Sequence, residues 1–464
     1  MTVPYWVQDT IFYQIFPDRF ANGDLSNDPD YLLPWGAPPT SRSFFGGDLR
    51  GIIQKFDYLL DLGINGIYLN PIFMAASNHR YNTADYFQID PRLGDMRDFQ
   101  ALLDVAHRHG TRVILDGVFN HCGRGFFAFT DLLENQELSV YQDWFHVLKF
   151  PIDAYSPGEA VDYLGWWKNK SLPKFNTNNP KVRAYLLKVA QYWIEQGADG
   201  WRLDVPNEID DDGFWAEFRQ TVLAINRDAY IVGEIWDGNP RWVGETHFDG
   251  LMDYPLRDAL LSLLTANLPV TQFADKVEKL LKLFPRENAY AMYTLVGSHD
   301  PARFMTMVDG NVEKFKLAVA FQFAYPGAPS IYYGDEIGLQ GKKDPDNRRC
   351  FPWDETLWNK ELRSYMQELV SLRKKLAALR RGDYERVLAD DNRGVYAFMR
   401  SLGDEKVMVV MNASATRRVL RLPVKAYGWK DGLIVHNLLA TGEYSVSGDE
   451  LPVTISPLTV MWLK

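Results

Sequence analysis

The chain has 464 residues, 46% of them hydrophobic, enough to bury a large core and to exclude a disordered protein. With 50 Lys and Arg against 60 Asp and Glu, the formal charge of -10 argues against a nucleic-acid partner and favours an uncharged one. No run of 18 apolar residues occurs, so no membrane span is expected.

The opening MTVPYWVQDT has no basic segment and no continuous apolar stretch, so it is not an export signal. Only Cys122 and Cys350 are present, far apart, which leaves no disulfide framework and no zinc spacing. A cytoplasmic protein is expected. Short β-rich runs then alternate with amphipathic helical segments: IFYQIFP from Ile11, GIYLNP from Gly66, RVILDGVFNH from Arg112, GWRLDV from Gly200, YIVGEIW from Tyr230, FDGLMD from Phe248, AMYTLVGSHD from Ala291 and PSIYYGDE from Pro329. Repeated βα units imply a parallel sheet, and eight of them predict a (β/α)8 TIM barrel over 1–120 and 181–382. Residues 121–180 are aromatic and loop-rich, too long for an ordinary connection, and predict a subdomain inserted after strand three, above the barrel mouth. A helix is predicted from about Glu355 to Leu379. Beyond it, alternating runs such as VYAFMRSL and KVMVVMNAS predict a C-terminal antiparallel β-sandwich domain over 383–464. The high aromatic content, with 14 Trp and 24 Tyr, fits either a large core or a ligand-stacking surface.

Polar residues collect at the C-terminal ends of these strands. Asp116, Asn120 and His121 fall at or after the third run, Arg202 and Asp204 on the fourth, Glu234 on the fifth, His299 and Asp300 after the seventh. That rim is where a (β/α)8 barrel builds its active site. Arg202 and Asp204, two apart on a strand, share one face, and burying both is costly unless the charges serve pairing, a ligand or chemistry. A structural salt bridge would explain Asp116 alone; it does not explain four strands converging with three further carboxylates, two histidines and an arginine. Paired carboxylates suggest glycoside hydrolysis, one acting as nucleophile and the other as general acid. Arg202 is expected to keep Asp204 ionised, and the apolar neighbours of Glu234 to keep that group protonated.

The blocks DGVFNH, GWRLDVPNE, GEIW and GSHD, with FYQIFPDRFANGD, HRYNTADYFQIDPRLG and LPKFN, resemble the conserved segments of the α-amylase family of glycoside hydrolases over nearly the whole barrel. The resemblance implies a retaining mechanism in which Asp204 is the nucleophile, Glu234 the acid/base and Asp300 the third carboxylate that grips sugar hydroxyls. It implies that Tyr81 stacks under the same sugar, that His121 and His299 hydrogen-bond it, that Arg202 orients Asp204, and that Asp116 orients its neighbours. LPKFN, VPNE and DPDNRRCFPWD resemble the neopullulanase, cyclomaltodextrinase and maltogenic amylase group, which implies that Asp344 and Arg348 bind the next sugar outward and that Trp236 stacks on the leaving-group side. An exposed loop salt bridge is the plainer account of Asp344 and Arg348. That group carries a further N-terminal β-domain; here the barrel starts almost at Met1, so a more open cleft and either a monomer or a homodimer are expected. Pro206 stands where the group has Ala.

In ANGDLSNDP and FFGGDL, the oxygens of Asn22, Asp24, Asn27, Asp28, Gly46 and Asp48 make either a polar turn or a structural calcium site. Some members of the family bind calcium at such a loop, and a structural Ca2+ is expected. No organic cofactor is implied. The function expected is hydrolysis of α-1,4 bonds in cyclodextrins, maltooligosaccharides, starch or pullulan, with transglycosylation as a side reaction. The alternatives are a glucanotransferase or isomerase acting on maltose units, and a non-catalytic glucan-binding or accessory subunit.

Overall fold

Eight short strands, buried along nearly their whole length, close on themselves in the computed structural model, which describes residues 3–464. They are β1 (Phe12–Ile15), β2 (Gly66–Leu69), β3 (Arg112–Gly117), β4 (Gly200–Leu203), β5 (Tyr230–Gly233), β6 (Gly250–Asp253), β7 (Tyr293–Thr294) and β8 (Ala328–Tyr332). Every neighbouring pair is parallel, and β1 closes against both β2 and β8. Each of the eight predicted runs supplies one stave. Their near-continuous apolar text follows from burial on both faces, inward on the barrel axis and outward on the helices. Inward, Phe12, Tyr68, Ile114, Tyr230, Val232, Met252 and Tyr293 form one cluster, floored by Val3 and Val7. Outward, a larger cluster joins the sheet to the surrounding helices.

Those helices begin where side chains satisfy their first free N–H groups. Asp95 caps Met96–Arg108 in a reciprocal box with Asp98, Asn179 caps Pro180–Glu195, Asp211 caps Asp212–Ile225 and Asn311 caps Val312–Ala324. The predicted helix Glu355–Leu379 is divided: a 3-10 turn over Glu355–Leu357, a helix over Lys360–Lys375, and a second over Ala377–Arg381 after an extended Leu376.

Two excursions leave the rim. After β2 an antiparallel hairpin, Phe73–Ala75 with Thr83–Ile89, carries His79 and Tyr81 in its turn. After β3 the segment 121–180 contains one helix, Phe127–Asn135, and otherwise short turns joined by isolated bridges such as His121 with Lys174 and Gly165 with Pro173. The two excursions touch where Gly123 N–H donates to Thr83 O at 2.7 Å. A β-carbon on Gly123 would stand 2.1 Å from Asn82 O, so this crossing requires glycine.

The C-terminal domain is a four-stranded antiparallel sheet, Asp383–Asp390, Val395–Leu402, Glu405–Asn412 and Thr459–Leu463, faced by the pair Arg418–Pro423 and Glu450–Ile455. Alternation divides its residues. Ala397, Met399, Met408 and Val410 pack inside the sandwich against Leu420, Leu422 and Val453, while Tyr396, Phe398, Val409 and Trp462 pack on the barrel helices. No helix among the described residues is long and apolar enough to cross a membrane.

Candidate active site

Register sets the centre of the site. Asp116 at the end of β3 lies directly opposite Arg202 on β4, and Arg202 opposite Val232 on β5. The Arg202 guanidinium, 1% exposed, donates through Nη1 to Asp116 Oδ1 at 2.8 Å and to Asp204 Oδ1 at 3.1 Å. Its Nη2 ion-pairs with Glu234 Oε2 at 3.0 Å, though its N–H does not point along that contact. One cation therefore serves three carboxylates, not Asp204 alone. Burial and the adjacent Glu234 push the Asp204 carboxyl well above its ordinary range, and Arg202 opposes this without overcoming it. The expected dominance of Arg202 over Asp204 is thus corrected.

Nor does Glu234 sit in an apolar sleeve. Its Oε2 accepts the Val205 N–H at 3.1 Å and its Oε1 accepts the Trp236 Nε1–H at 3.1 Å. The apolar residues beside it in sequence, Val232 and Ile235, are themselves buried in the core. Val205 reaches Glu234 from a left-handed backbone, φ 34° and ψ 51°, uncommon for a β-branched residue. Trp236 lies flat on Tyr254, with ring centroids 3.8 Å apart and planes 6° from parallel. Its other face is open, leaving the residue 48% exposed.

A second network descends from Asp300. Its Oδ1 lies 3.5 Å from Arg348 Nη2, and its Oδ2 lies 3.4 Å from His299 Nε2 without accepting a hydrogen bond. Burial and the nearby Glu234 push this carboxyl up to about 7. Neighbouring His299 accepts Gln14 Nε2–H at its Nδ1, 2.8 Å away. With Nδ1 accepting, Nε2 carries the proton and donates to Tyr81 Oη at 2.5 Å, and Tyr81 in turn donates to Asp116 Oδ2 at 2.7 Å. Burial and the cations Arg348 and Arg202 hold His299 well below its ordinary pKa, so the ring stays neutral. Tyr81 is thereby fixed at its hydroxyl, and its ring, stacked with His299 at 5.4 Å and His79 at 5.9 Å, borders the cleft.

His121 follows the same logic. Burial lowers its pKa to about 3 against the opposing pull of a hydrogen bond with the Tyr81 backbone, and Asn120 Nδ2–H points at its Nδ1 from 3.2 Å. Its ring stacks on Trp166 at 5.3 Å, and Trp166 stacks on Trp167 at 4.6 Å.

These groups border a cleft of about 840 Å³, with Asp204, Glu234 and Asp300 in its lining. Tyr81, His121, Trp236 and Arg348 line it too, whereas Arg202 and His299 stand behind the wall and act through the residues they hold. Arg348 is 8% exposed and donates through Nε to His299 O at 2.9 Å, so it is a built part of the rim and not a loose loop pair. Asp344 lies 3.3 Å from Arg348 Nη1 with its own side chain half exposed, outside the lining. The lining also contains His79, Trp166, Trp167, Asn207, Glu208 and Lys343, to which sequence reasoning gave no role. The text GWWKNKS held a signal: two adjacent tryptophans inside a loop-rich insertion.

The loop away from the cleft gathers Asn22, Asp28 and Gly46 closely. A β-carbon on Gly46 would stand 2.3 Å from Asp28 Oδ1 and 2.5 Å from Asn22 Nδ2. Asn22 Oδ1 and Asn27 Oδ1 are buried oxygens with no donor. Two of the expected ligands differ. Asp24 Oδ1 accepts from both N and Oγ of Ser26, capping a turn, and Asp48 is taken up by N–H donors from Gly23, Asp24, Asn27 and Gly51. Among the described residues no cluster of three acidic, histidine or cysteine side chains could hold a metal. Any cation here would rest on amide and carbonyl oxygens beside Asp28.

Comparison with known proteins gives the same outline. Residues 14–381 match the family described as alpha amylase, catalytic domain, and residues 385–462 match the maltogenic amylase C-terminal domain. A cyclomaltodextrinase of Geobacillus thermopakistaniensis is 45% identical over 98% of this chain and 76% of its own length. Neopullulanase 2 of Thermoactinomyces vulgaris is 43% identical over 100% of this chain and 78% of its own. Among solved structures, the cyclic alpha-maltosyl-(1→6)-maltose hydrolase of Arthrobacter globiformis, in complex with its cyclic sugar, superposes with a TM-score of 0.91 at 39% identity, over 100% of both chains.

Proposed function

The chain belongs to the α-amylase family of glycoside hydrolases, and from that premise we propose that it cleaves α-1,4 bonds of cyclodextrins, maltooligosaccharides, starch or pullulan with retention at the anomeric carbon. The observation that carries the reading is the convergence of Asp204, Glu234 and Asp300, from three different strands, on one cleft wide enough for sugar rings. Asp204 Oδ1 is held by Arg202, which leaves Oδ2 to attack C1. As the C1–O bond breaks, Glu234 gives its proton to the departing oxygen and a glycosyl ester forms on Asp204. Glu234, now a carboxylate, takes a proton from water, the hydroxide attacks C1, and Asp204 leaves as carboxylate. Asp300 Oδ2, which accepts no hydrogen bond although His299 Nε2 lies 3.4 Å away, and the His121 ring in the same cleft are the groups that a sugar's hydroxyls would meet. The exposed face of Trp236, beside the acid, offers the departing or accepting sugar a stacking surface, which supports transfer to sugar acceptors as a side reaction.

We assign cytoplasmic residence on the two buried free cysteines. A structural Ca2+ is assigned to Asn22 Oδ1, Asn27 Oδ1, Asp28 and the Gly46 carbonyl, supported by the two orphaned buried oxygens; calcium raising the melting temperature, and Asp28→Ala abolishing that rise, are the results expected of it.

The function is tested by incubating the protein separately with β-cyclodextrin, pullulan, soluble starch and maltotriose and following the anomer first released. The α-anomer is expected. Glu234→Gln should lower kcat by about 10²- to 10⁴-fold and Asp204→Asn by at least as much; near wild-type rates in either variant would remove the assigned roles.

A further inference from the structure

Trp167 is 80% exposed, the most exposed aromatic residue in the chain. Its backbone is left-handed, φ 48° and ψ 35°, and the next residue, Lys168, is left-handed too at φ 59°. Two consecutive non-glycine residues in that region are costly and persist only where surrounding bonds enforce them. Here they do. Lys168 N–H donates to Gly165 O at 2.9 Å, Asn169 N–H to Trp166 O at 2.9 Å, and Ala160 N–H to Lys168 O at 2.7 Å, so the turn is tied on both sides. An ordinary turn would allow the indole to fold inward; this one holds a large apolar ring against water. One face rests on Trp166, and the other is open to the cleft that Trp166 and Trp167 both line.

We propose that Trp167 is a specificity-determining residue whose open face stacks on a glucose unit outside the reacting one, so that the cleft selects long or cyclic α-glucans over short ones. The inference rests on the α-glucan reading above and deepens it. The position follows from the ring column. His121 shares the cleft lining with the carboxylates; Trp166 is one ring removed and Trp167 two, at 5.3 and then 4.6 Å between centroids. A sugar held between Asp204 and Glu234 is therefore out of reach of Trp167, and only a substrate extending past it can meet the indole. Trp236, half exposed beside Glu234, gives the cleft a second such plate. Both indoles line the one cleft, and neither carries a charge that would select an ionised ligand, as suits an uncharged sugar.

The test compares wild type, Trp167→Ala and Trp167→Phe on maltotriose, maltoheptaose and β-cyclodextrin. Trp167→Ala should raise KM for the two larger sugars by about tenfold, a loss at least fivefold greater than on maltotriose, with kcat held within about twofold, and Trp167→Phe should restore most of it. Equal losses on all three sugars, or no loss on the larger two, would overturn the proposal. Calorimetric titration of maltoheptaose into Glu234→Gln, with and without Trp167→Ala, decides it independently of turnover: equal affinities overturn it, and about tenfold weaker binding supports it. Wild type that cleaves none of the sugars yet binds maltoheptaose through Trp167 would overturn the hydrolase reading and leave the stacking assignment standing.

Discussion

The Arg202 guanidinium lies 3.0 Å from the Glu234 carboxylate, a group 32 residues further along the chain and just past the end of the next strand. Its other nitrogen holds Asp204 and Asp116. A lysine places one compact charge where three carboxylates need a planar fork. Arg202→Lys is expected to lower kcat at least about 100-fold through misplaced carboxylates and to lower the melting temperature, since breaking buried pairs is strongly destabilising. Turnover and thermal melts check both; an unchanged kcat refutes the shared-cation account.

Trp236 both stacks on Tyr254 and donates to Glu234. Trp236→Phe keeps the ring and removes the donor. A hydrogen bond to a charged group contributes about 1.5–3 kcal/mol, so kcat should fall about 10- to 100-fold if the bond survives in the transition state, with little change in melting temperature. Unaltered kcat with raised KM would show that the ring alone matters.

Val205 holds φ 34° to aim its N–H at Glu234. Glycine adopts that conformation without a β-carbon clash. Val205→Gly should lose less than about 1 kcal/mol of stability, because relief of strain offsets the greater freedom of the unfolded chain. Kcat should still fall several-fold as the N–H loses its fixed direction. A larger stability loss measured by denaturant titration argues against strain at this residue.

Burial raises both Asp204 and Asp300, the latter to about 7. If Asp204 is the nucleophile, as proposed, it must be ionised, so activity should decline as pH falls, with the acid limb of kcat/KM well above the usual carboxylate range of about 4. The limb belongs jointly to the interacting carboxyls. Arg348 lowers the Asp300 pKa, so Arg348→Met should move the limb further up. A limb near pH 4 in both proteins contradicts this electrostatic account.

Asp253 ends β6 and caps Tyr254–Thr265 through Leu256 N–H at 3.1 Å. Burial raises its pKa to about 7. Between the unfolded value near 4 and this value the folded state binds the extra proton, so stability is full below about pH 4 and is lost as pH rises through 7. Asparagine keeps the cap and cannot ionise. Asp253→Asn should therefore gain on wild type from pH 4 to 8, by an amount on the order of a few kcal/mol; melting curves showing a constant difference would sink the claim.

All eight staves were legible because each is an apolar run buried on both sides, a pattern that survives without any partner in view. The rim carboxylates were legible through their place at strand ends. The hairpin bearing Tyr81 was not, because its register shifts break the alternation that marks a strand. The donors to Glu234 were hidden for another reason: the Val205 N–H is a backbone group 29 residues away, and no side-chain pattern announces it. Trp167 reads like any core tryptophan until its φ and its exposure are known.

The carboxylates to which cleavage is assigned above follow the ends of the staves, while the ring wall of Trp166 and Trp167 hangs from an excursion that meets the hairpin at Gly123. A lineage can redraw that wall, and with it the menu of sugars, without disturbing the cutting edge. The glycine crossing is the hinge pin of that arrangement, since the excursion and the hairpin are registered to one another there.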